Sequence, residues 1–376
     1  MRLITLLAII FYSSSFGYCN SQILTGTKGT ELKARVVADF FSPWSMTFLN
    51  SDLLLVTSKK GNLWLVSKFG EKREVSGVPE VAFGGQGGLG DIVLHPQFSS
   101  NNLVFLSFVR SEGIFQAKTA VVVRATLQIS KQPKLTDIEK IWEQTPKAIG
   151  SKHFSHRLVF GPQGSDQEGK LFITSGDRGS PVDAQDWNKN LGKIIRLNVD
   201  GSIPNDNPFQ NRGELARTFW TLGHRNPLGI AFDTTGRLWS NEMGPRHGDE
   251  LNLIIPGKNY GWPIVSEGDH YSGKKIPAHH TRPEFTAPAL FWVPTVAPSG
   301  LLFYSGQHFL DWKDNLLFGG LKSKALVRVE IIGENAIEVE RFNWGSRIRE
   351  VEQAPDGSIW VLEDPPNGRL IQLTKP

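Results

Sequence analysis

Apolar and polar residues alternate along this chain in short runs, and one arrangement of these runs recurs six times. In each copy an apolar strand is followed by a polar turn, usually with Gly, Asp or Asn, and then by a second apolar strand. The copies begin at Trp44, Gly90, Arg157, Leu228, Gly300 and Ile348. Apolar runs of about 4 to 8 residues separated by turn residues are typical of β-hairpins. We therefore predict an all-β protein.

A single hairpin cannot bury both of its faces, so the six copies must pack against one another. Stacking them around an axis buries a continuous core and protects the strand edges. We predict a six-bladed β-propeller with four-stranded antiparallel blades, one domain over residues 21–376. Two β-sandwiches are the alternative, but six equivalent hairpins favour the ring. Uneven spacing predicts insertions at 110–150, 178–220 and 256–295, and residues 21–42 should complete the blade built from the C-terminal strands.

The composition agrees with this architecture and narrows the classes of partner. The 38 Gly and 22 Pro residues among 376 disfavour long helices, whereas 11 Trp and 23 Phe suit a pleated, half-buried surface. Lys and Arg number 41 against 37 Asp and Glu, a net charge of +4. That excess is too small and too evenly spread for a nucleic-acid-binding face, so we expect no nucleic-acid partner.

Residues 1–20 form a predicted export signal. Met1 and Arg2 are followed by the apolar run 3–12, which has roughly half of the ~20 residues needed to span a bilayer. Cys19 is the sole cysteine, so the mature chain must fold without disulfides. A lipid anchor at Cys19 is the less favoured alternative, because Tyr18 precedes it. We expect a periplasmic or secreted protein, monomeric or homodimeric, without stable membrane insertion.

Two histidines and an aspartate mark the third copy as a candidate catalytic element. His153 and His156 precede its first strand, and Asp177 follows its second strand. Because a hairpin brings its two ends together, Asp177 can approach His153. A carboxylate on one ring nitrogen fixes the tautomer and leaves the other nitrogen as a base. Surface histidines without a chemical role are the alternative interpretation.

Cationic residues occur at equivalent ends of later copies, namely Arg225, Lys322, Arg347 and Arg349. Residues two apart in a strand share a face, so Arg347 and Arg349 point the same way, as a carboxylate clamp requires. A solvated edge strand is the alternative. If the four cations meet at one mouth of the propeller, they form a pocket for a compact ligand with several negative charges.

The turn after the fourth copy is a candidate cation site. Gly244 and Pro245 form a turn that exposes backbone carbonyl groups, and Asp249 and Glu250 follow shortly after it. Hard cations such as calcium accept carbonyl and carboxylate oxygens as ligands. An ordinary turn with a solvated acidic pair is the alternative.

Nine segments, taken in order, resemble one protein family over nearly the whole mature chain. They are GGQGGLGDIVLHPQF, HFSHRLVFGPQG, ITSGDRG, NLGKIIRLNVDGSIPNDNPF, GHRNPLGIAFD, MGPRHGDELNLIIPGKNYGWP, WVPTVAPSG, GLKSKAL and SRIREVEQAPDGSIWVL. The chain resembles the soluble quinoprotein glucose/sorbosone dehydrogenases, and within them the periplasmic aldose sugar dehydrogenases.

The resemblance implies a six-bladed propeller that binds pyrroloquinoline quinone (PQQ) together with calcium at one mouth. His153 then matches the base that removes the C1 hydroxyl proton of the sugar, Asp177 the carboxylate that orients it, and Arg225 the arginine beside the reactive carbonyl of the quinone. Gln86 matches a residue on the substrate side of the cofactor. The other matching positions hold the cofactor (Asn226, Asp249, Thr295, Lys322, Arg347 and Arg349) or supply carbonyl ligands to its calcium (Gly244 and Pro245).

The resulting hypothesis is a PQQ- and calcium-dependent dehydrogenase that oxidises the C1 hydroxyl of aldoses to lactones. Electrons would pass to a quinone, a small haem protein or a dye. Met243 and Lys152 stand where the glucose-specific branch has Gln and an acid, and Leu290 and Val293 replace its aromatic residues, so we expect broad sugar specificity. A calcium-dependent lactonase and a non-catalytic sugar- or protein-binding propeller are the alternatives.

Overall fold

The computed structural model describes residues 21–376, which form six β-sheets around a central axis. The chain enters as β1 (Ser21–Thr25) and β2 (Glu31–Phe41), which belong to the last blade. Blade 1 contains β3 (Pro43–Phe48), β4 (Leu53–Ser58), β5 (Asn62–Ser67) and β6 (Lys72–Val75). Blade 2 contains β7 (Leu89–Leu94), β8 (Leu103–Glu112), β9 (Ala117–Gln128) and β10 (Lys134–Glu143). Blade 3 contains β11 (Ser155–Phe160), β12 (Lys170–Ser175), β13 (Lys193–Asn198) and β14 (Phe219–Leu222).

The second half of the chain repeats this order from the axis outward. Blade 4 contains β15 (Pro227–Phe232), β16 (Leu238–Glu242), β17 (Asp249–Ile254) and β18 (Leu290–Trp292). Blade 5 contains β19 (Pro298–Phe303), β20 (Leu316–Gly320), β21 (Ala325–Ile332) and β22 (Asn335–Asn343). Blade 6 contains β23 (Ile348–Gln353), β24 (Ile359–Glu363) and β25 (Asn367–Thr374). Within residues 21–376, helix is confined to α1 (Phe98–Asn101) and short 3₁₀ turns at Pro181–Gln185, Ala216–Thr218, His279–Thr281 and Leu310–Trp312.

Burial explains why these segments form strands in these places. Strand β4 reads LLLVTS and is buried almost throughout, because neighbouring blades cover both of its faces. Strand β6, at the outer edge of the same blade, reads KREV and is mostly exposed. An apolar cluster fills each interface between neighbouring blades; Leu55, Ile92 and Leu106 belong to the one between blades 1 and 2. Full burial of each such side chain contributes roughly 1.5–3 kcal/mol.

The ring closes by pairing strands from the two ends of the described chain. Strand β2 pairs antiparallel with β25 from Lys33 opposite Thr374 to Phe41 opposite Asn367, and β1 adds a fifth strand outside β2. The innermost strand of blade 6 contacts that of blade 1, so all six inner strands surround the axis. The six-bladed propeller is therefore confirmed, and so is the prediction that residues 21–42 complete the last blade.

The structure contradicts one of the predicted insertions and confirms another. The prediction for 110–150 was wrong, since β9 and β10 occupy most of this range as the long outer strands of blade 2. The mostly exposed residues of β10 do not show the apolar pattern of a hairpin, whereas β9 is largely buried. The range 256–295 does hold a long connection, between β17 and β18. The predicted export signal lies outside the described residues, and within 21–376 no helix is long and apolar enough to cross a bilayer.

Candidate active site

The six inner strands start at the same end of the propeller, and each starts with an irregular register. Strand pairing shifts within the first residues of β3, β7, β11, β15, β19 and β23. Such bulges re-aim side chains and are common beside active sites. At this end lies a cavity of about 500 Å³ whose lining includes Trp44, Gln86, Ser155, Leu228, Ala297 and Arg349, one from each blade or the loop before it. The cavity is therefore axial.

The third blade brings His153 and Asp177 together beside this cavity. His153 precedes β11, Asp177 follows β12, and the two strands pair. Nδ1 of His153 lies 2.7 Å from Oδ1 of Asp177. The backbone N–H of His153 donates to Oε1 of Gln86 at 2.6 Å, and φ is 50°, a left-handed value that is uncommon outside glycine. In the neutral imidazole that donates from Nδ1, Nε2 is left as a base.

The carboxylate of Asp177 is buried and accepts hydrogen bonds on both oxygens. Oδ1 also accepts the backbone N–H of Gly179 at 2.7 Å, and Oδ2 accepts Nε1–H of Trp262 at 2.9 Å. Burial alone would raise the pKa of this carboxyl group. The hydrogen bonds from His153 and Gly179 and the charge of Arg225 outweigh burial and lower its pKa. Asp177 is therefore a carboxylate at neutral pH.

The imidazole of His153 is held neutral by its surroundings. Burial lowers its pKa below the ordinary value of 6.5, and the nearby charges of Arg225 and Lys152 act in the same direction. The hydrogen bond to Asp177 opposes this shift without reversing it. A neutral imidazole oriented by a carboxylate can accept a proton from a substrate hydroxyl group.

His156 contacts Trp44 and Ser107 and does not take part in the His153–Asp177 pair. It is buried, its ring stacks on Trp44 with centroids 5.1 Å apart, and Nδ1 lies 2.7 Å from Oγ of Ser107. Burial, reinforced by the charge of Arg157, lowers its pKa to about 3. His156 is therefore a neutral part of the cavity floor.

Arg225 and Asn226 lie between this pair and blade 4. The backbone N–H of Arg225 donates to Oε2 of Glu242 at 2.6 Å, and its Nη1 donates to the carbonyl oxygen of Met243 at 2.9 Å. Met243 lines the cavity. Asn226 is fully buried and accepts a hydrogen bond from Oγ of Ser155, while its Nδ2 has no partner among the described residues. This N–H group is therefore a buried donor without a partner.

Arg347 and Arg349 both line the cavity and share an internal carboxylate, Asp364. Their Nε atoms donate to opposite oxygens of Asp364, at 2.5 Å from Arg347 and 2.7 Å from Arg349. The two side chains thus point the same way. Arg347 remains 47% exposed at its side chain and Arg349 12%. Lys59 adds a further cation to the lining, and its Nζ donates to the carbonyl oxygen of Gly85 at 2.6 Å.

Asp249 and Thr295 fasten two loops of the site to each other. The buried carboxylate of Asp249 accepts the hydroxyl of Thr295 and the backbone N–H groups of Val296 and Ala297, each of these two at 2.7 Å. Its second oxygen accepts the N–H of Gly244 at 2.9 Å. Both residues therefore have internal partners, and they fix the turn that carries the predicted cation ligands.

The remaining predicted residues lie at the edge of this arrangement. Lys322 is exposed and follows Leu321, which lines the cavity. Within residues 21–376 no donor bonds to the carbonyl oxygens of Gly244 or Pro245. That part of the chain also has no group of three or more His, Cys, Asp or Glu side chains placed to hold a metal ion. A cation near this turn would depend on those free carbonyl groups.

Sequence reasoning missed three residues of the site: Lys59, Asp364 and Trp262. Lys59 and Asp364 directly follow the second strand of their hairpins, and Asp177 lies two residues beyond the end of its own. Equivalence of that position across the repeats is the signal that could have identified them. Trp262 lies in the long connection of blade 4 yet bonds to blade 3, a contact that no repeat pattern indicates.

Comparison with known proteins identifies the family of this chain. The sequence profile of the glucose/sorbosone dehydrogenases matches residues 40–372. The aldose sugar dehydrogenase YliI of Escherichia coli K12 is 38% identical over 88% of this chain and 90% of its own. The apo structure of the soluble E. coli aldose sugar dehydrogenase superposes with a TM-score of 0.84 at 35% identity, covering 92% of this chain and 100% of that one. For the PQQ-bound aldose sugar dehydrogenase of Streptomyces coelicolor the TM-score is 0.75 at 29% identity, covering 91% and 98%. The chain therefore belongs to the glucose/sorbosone dehydrogenase family.

Proposed function

We propose that this protein is a PQQ- and calcium-dependent dehydrogenase that oxidises the C1 hydroxyl of aldoses to lactones with broad sugar specificity. The observation that carries the proposal is the His153–Asp177 pair beside a cavity lined by Arg347, Arg349 and Lys59. The PQQ-bound relative of the same fold supports the choice of cofactor. The short apolar start of the sequence supports export, and a quinone, a small haem protein or a dye would take the electrons.

Polar groups in the cavity, and in the adjoining recess that Gly244 and Pro245 line, fit a tricarboxylate bound next to a divalent cation. The guanidinium groups of Arg347 and Arg349 are donors suited to carboxylates, and Nδ2 of Asn226 is an unpaired buried donor. The carbonyl oxygens of Gly244 and Pro245 are unpaired acceptors suited to calcium. These residues would hold the cofactor, which when bound supplies the two-electron oxidation by accepting hydride.

The residues of this chain account for the proton and for orientation. Nε2 of His153 accepts the proton of the C1 hydroxyl group, and Asp177 stabilises the imidazolium ion that results. Arg225, held by Glu242 and Met243, places its positive charge beside His153. There it would stabilise negative charge that develops on an oxygen of the reacting groups. The side-chain carbonyl of Gln86 fixes the backbone of His153 from the opposite side.

Reconstitution tests the proposal directly. Apo-protein is titrated with PQQ and calcium, binding is followed by the cofactor absorption spectrum, and dye reduction is measured with a panel of aldoses. We expect turnover with several sugars and lactone as product. The His153→Gln variant should bind the cofactor normally and lose about 10²–10⁴-fold in kcat, whereas His280→Gln, an exposed site, should match the wild type. Cofactor binding without oxidation of any aldose would refute the dehydrogenase.

A further inference from the structure

Trp262 reaches the site from a part of the chain that belongs to another blade. It lies in the connection between β17 and β18 of blade 4, and this connection runs along the edge of blade 3. The N–H of Tyr260 donates to the carbonyl oxygen of Leu222 at 2.9 Å, and the N–H of Trp262 donates to that of Gly223 at 3.0 Å. Trp262 is 7% exposed and packs with Ala184. The indole ring is therefore fixed in place by backbone and side-chain contacts.

This one side chain contacts both the carboxylate and the cation of the proposed catalytic group. Its Nε1–H donates to Oδ2 of Asp177 at 2.9 Å, the oxygen that His153 does not use. The guanidinium carbon of Arg225 lies 5.5 Å from the centroid of its ring, within the range of cation–π attraction. Within residues 21–376, no other side chain bonds to Oδ2 of Asp177.

We propose that Trp262 is a positioning residue that aims Asp177 at His153 and holds Arg225 beside the same imidazole, an inference that rests on the proposed function. A carboxylate bonded at one oxygen only can rotate about its Cβ–Cγ bond. The indole N–H removes that freedom and stabilises the negative charge on the buried group. A purely structural role, in which the ring fills space next to Ala184, predicts instead that the N–H is dispensable.

Removal of the N–H has a defined electrostatic consequence. Without it, Asp177 becomes a more basic carboxylate, and its hydrogen bond to the protonated form of His153 strengthens. The other charges that act on the imidazole, Arg225 and Lys152, are unchanged by the loss of an N–H. The pKa of His153 should therefore rise, and the acidic limb of the rate profile should move to higher pH.

Trp220 provides a matched control. It is also 7% exposed and also lies against an arginine, with the guanidinium carbon of Arg196 at 4.7 Å from its ring. Its Nε1 has no partner among the described residues. Trp220→Phe and Trp262→Phe therefore remove comparable buried rings, but only the second removes a hydrogen bond to a carboxylate.

The test combines a measurement on cofactor-free protein with one on reconstituted enzyme. In protein labelled with ¹⁵N-histidine, with His153→Gln used for assignment, the pKa of His153 should rise by about half a unit to one unit in Trp262→Phe and stay unchanged in Trp220→Phe. After reconstitution, kcat should fall roughly 10-fold in Trp262→Phe, with its acidic limb displaced by the same amount. Benzothienylalanine at position 262, which replaces only the N–H by sulfur, should reproduce both effects even if the phenylalanine variant unfolds.

The outcomes separate this inference from the proposed function. A wild-type pKa of His153 and a wild-type rate profile in the benzothienylalanine protein would overturn the positioning role. A displaced pKa of His153 in a protein whose wild type oxidises no aldose would uphold the positioning role and refute the dehydrogenase.

Discussion

The exchange Asp177→Asn tests the chemistry of the site most sharply, because it changes one atom and little volume. Three donors point at the wild-type carboxylate: Nδ1–H of His153, the N–H of Gly179 and Nε1–H of Trp262. An amide has one acceptor oxygen and one NH₂ group, so whichever way it turns, at least one of these donors must face another donor. The site is 1% exposed, so water cannot relieve the conflict.

The size of the effect follows from the tautomer of His153. When the NH₂ group of the new asparagine faces Nδ1, the imidazole carries its proton on Nε2 and can no longer act as the base. In the Ser-His-Asp triad the same exchange lowers kcat by about 10⁴. We therefore expect a loss of about 10²–10⁴ in kcat, or roughly 3–5 kcal/mol of transition-state stabilisation.

The assay has two parts. Dye reduction at saturating aldose gives kcat after reconstitution with PQQ and calcium, and absorption titration gives the cofactor affinity, which should change little. The ¹⁵N shifts of His153 in cofactor-free protein report which ring nitrogen carries the proton. Asp186→Asn, on the same loop but partly exposed, is the control. An Asp177→Asn enzyme with kcat within about threefold of the wild type and full cofactor occupancy would refute the reasoning.

Three further predictions follow from charges at the two ends of the axis. Arg349→Ala should weaken cofactor binding about 10- to 100-fold, the value of one charge-assisted hydrogen bond. Arg369→Ala, in the same blade but outside the cavity lining and paired with Glu363, should leave cofactor binding unchanged. Equal cofactor affinities of the Arg349→Ala protein and the wild type in an absorption titration would contradict this prediction. Because the pKa of His153 is lowered and its neutral form is the base, kcat/KM should reach half of its maximum below pH 6.5, and a midpoint above 6.5 would contradict the assignment. At the opposite end of the channel, burial together with Glu350 raises the pKa of Glu352 to about 8. Because this folded-state pKa lies above the ordinary value of 4.5, the free energy of unfolding falls as the pH rises from 4.5 to 8. In thermal melts, Glu352→Gln should therefore raise Tm by a few degrees at pH 8 but change it little at pH 4.5.

The fold could be predicted from the sequence because it is a sum of local units. Each hairpin is recognisable from two apolar strands and the polar turn between them. Six such hairpins can bury their apolar faces in only a few arrangements. Outer strands such as β10 carry alternating polar residues and escape that pattern, which is why part of blade 2 was predicted as an insertion. The prediction that residues 21–42 complete the last blade is confirmed by the pairing of β2 with β25.

The site could be predicted only where its residues lie at repeated positions. His153 and Asp177 flank one hairpin, so their proximity follows from local geometry. The bond between Trp262 and Asp177 joins two blades through an irregular connection, and no periodicity encodes it. The sequence also cannot show that Asp364 already neutralises part of the charge of Arg347 and Arg349, since that depends on a turn between β24 and β25.

Blade 6 links occupancy of the cavity to the integrity of the ring. Its strand β23 follows Arg347 and contains Arg349, Asp364 lies in the turn after β24, and the same sheet holds the junction of β2 with β25. A ligand that binds these arginines contacts the blade in which β2 pairs with β25. Ligand binding therefore stabilises the closed ring against opening at this pairing. Saturating ligand should therefore slow amide exchange along β25 more than along β9 of blade 2, and unfolding without ligand should begin at the pairing of β2 with β25.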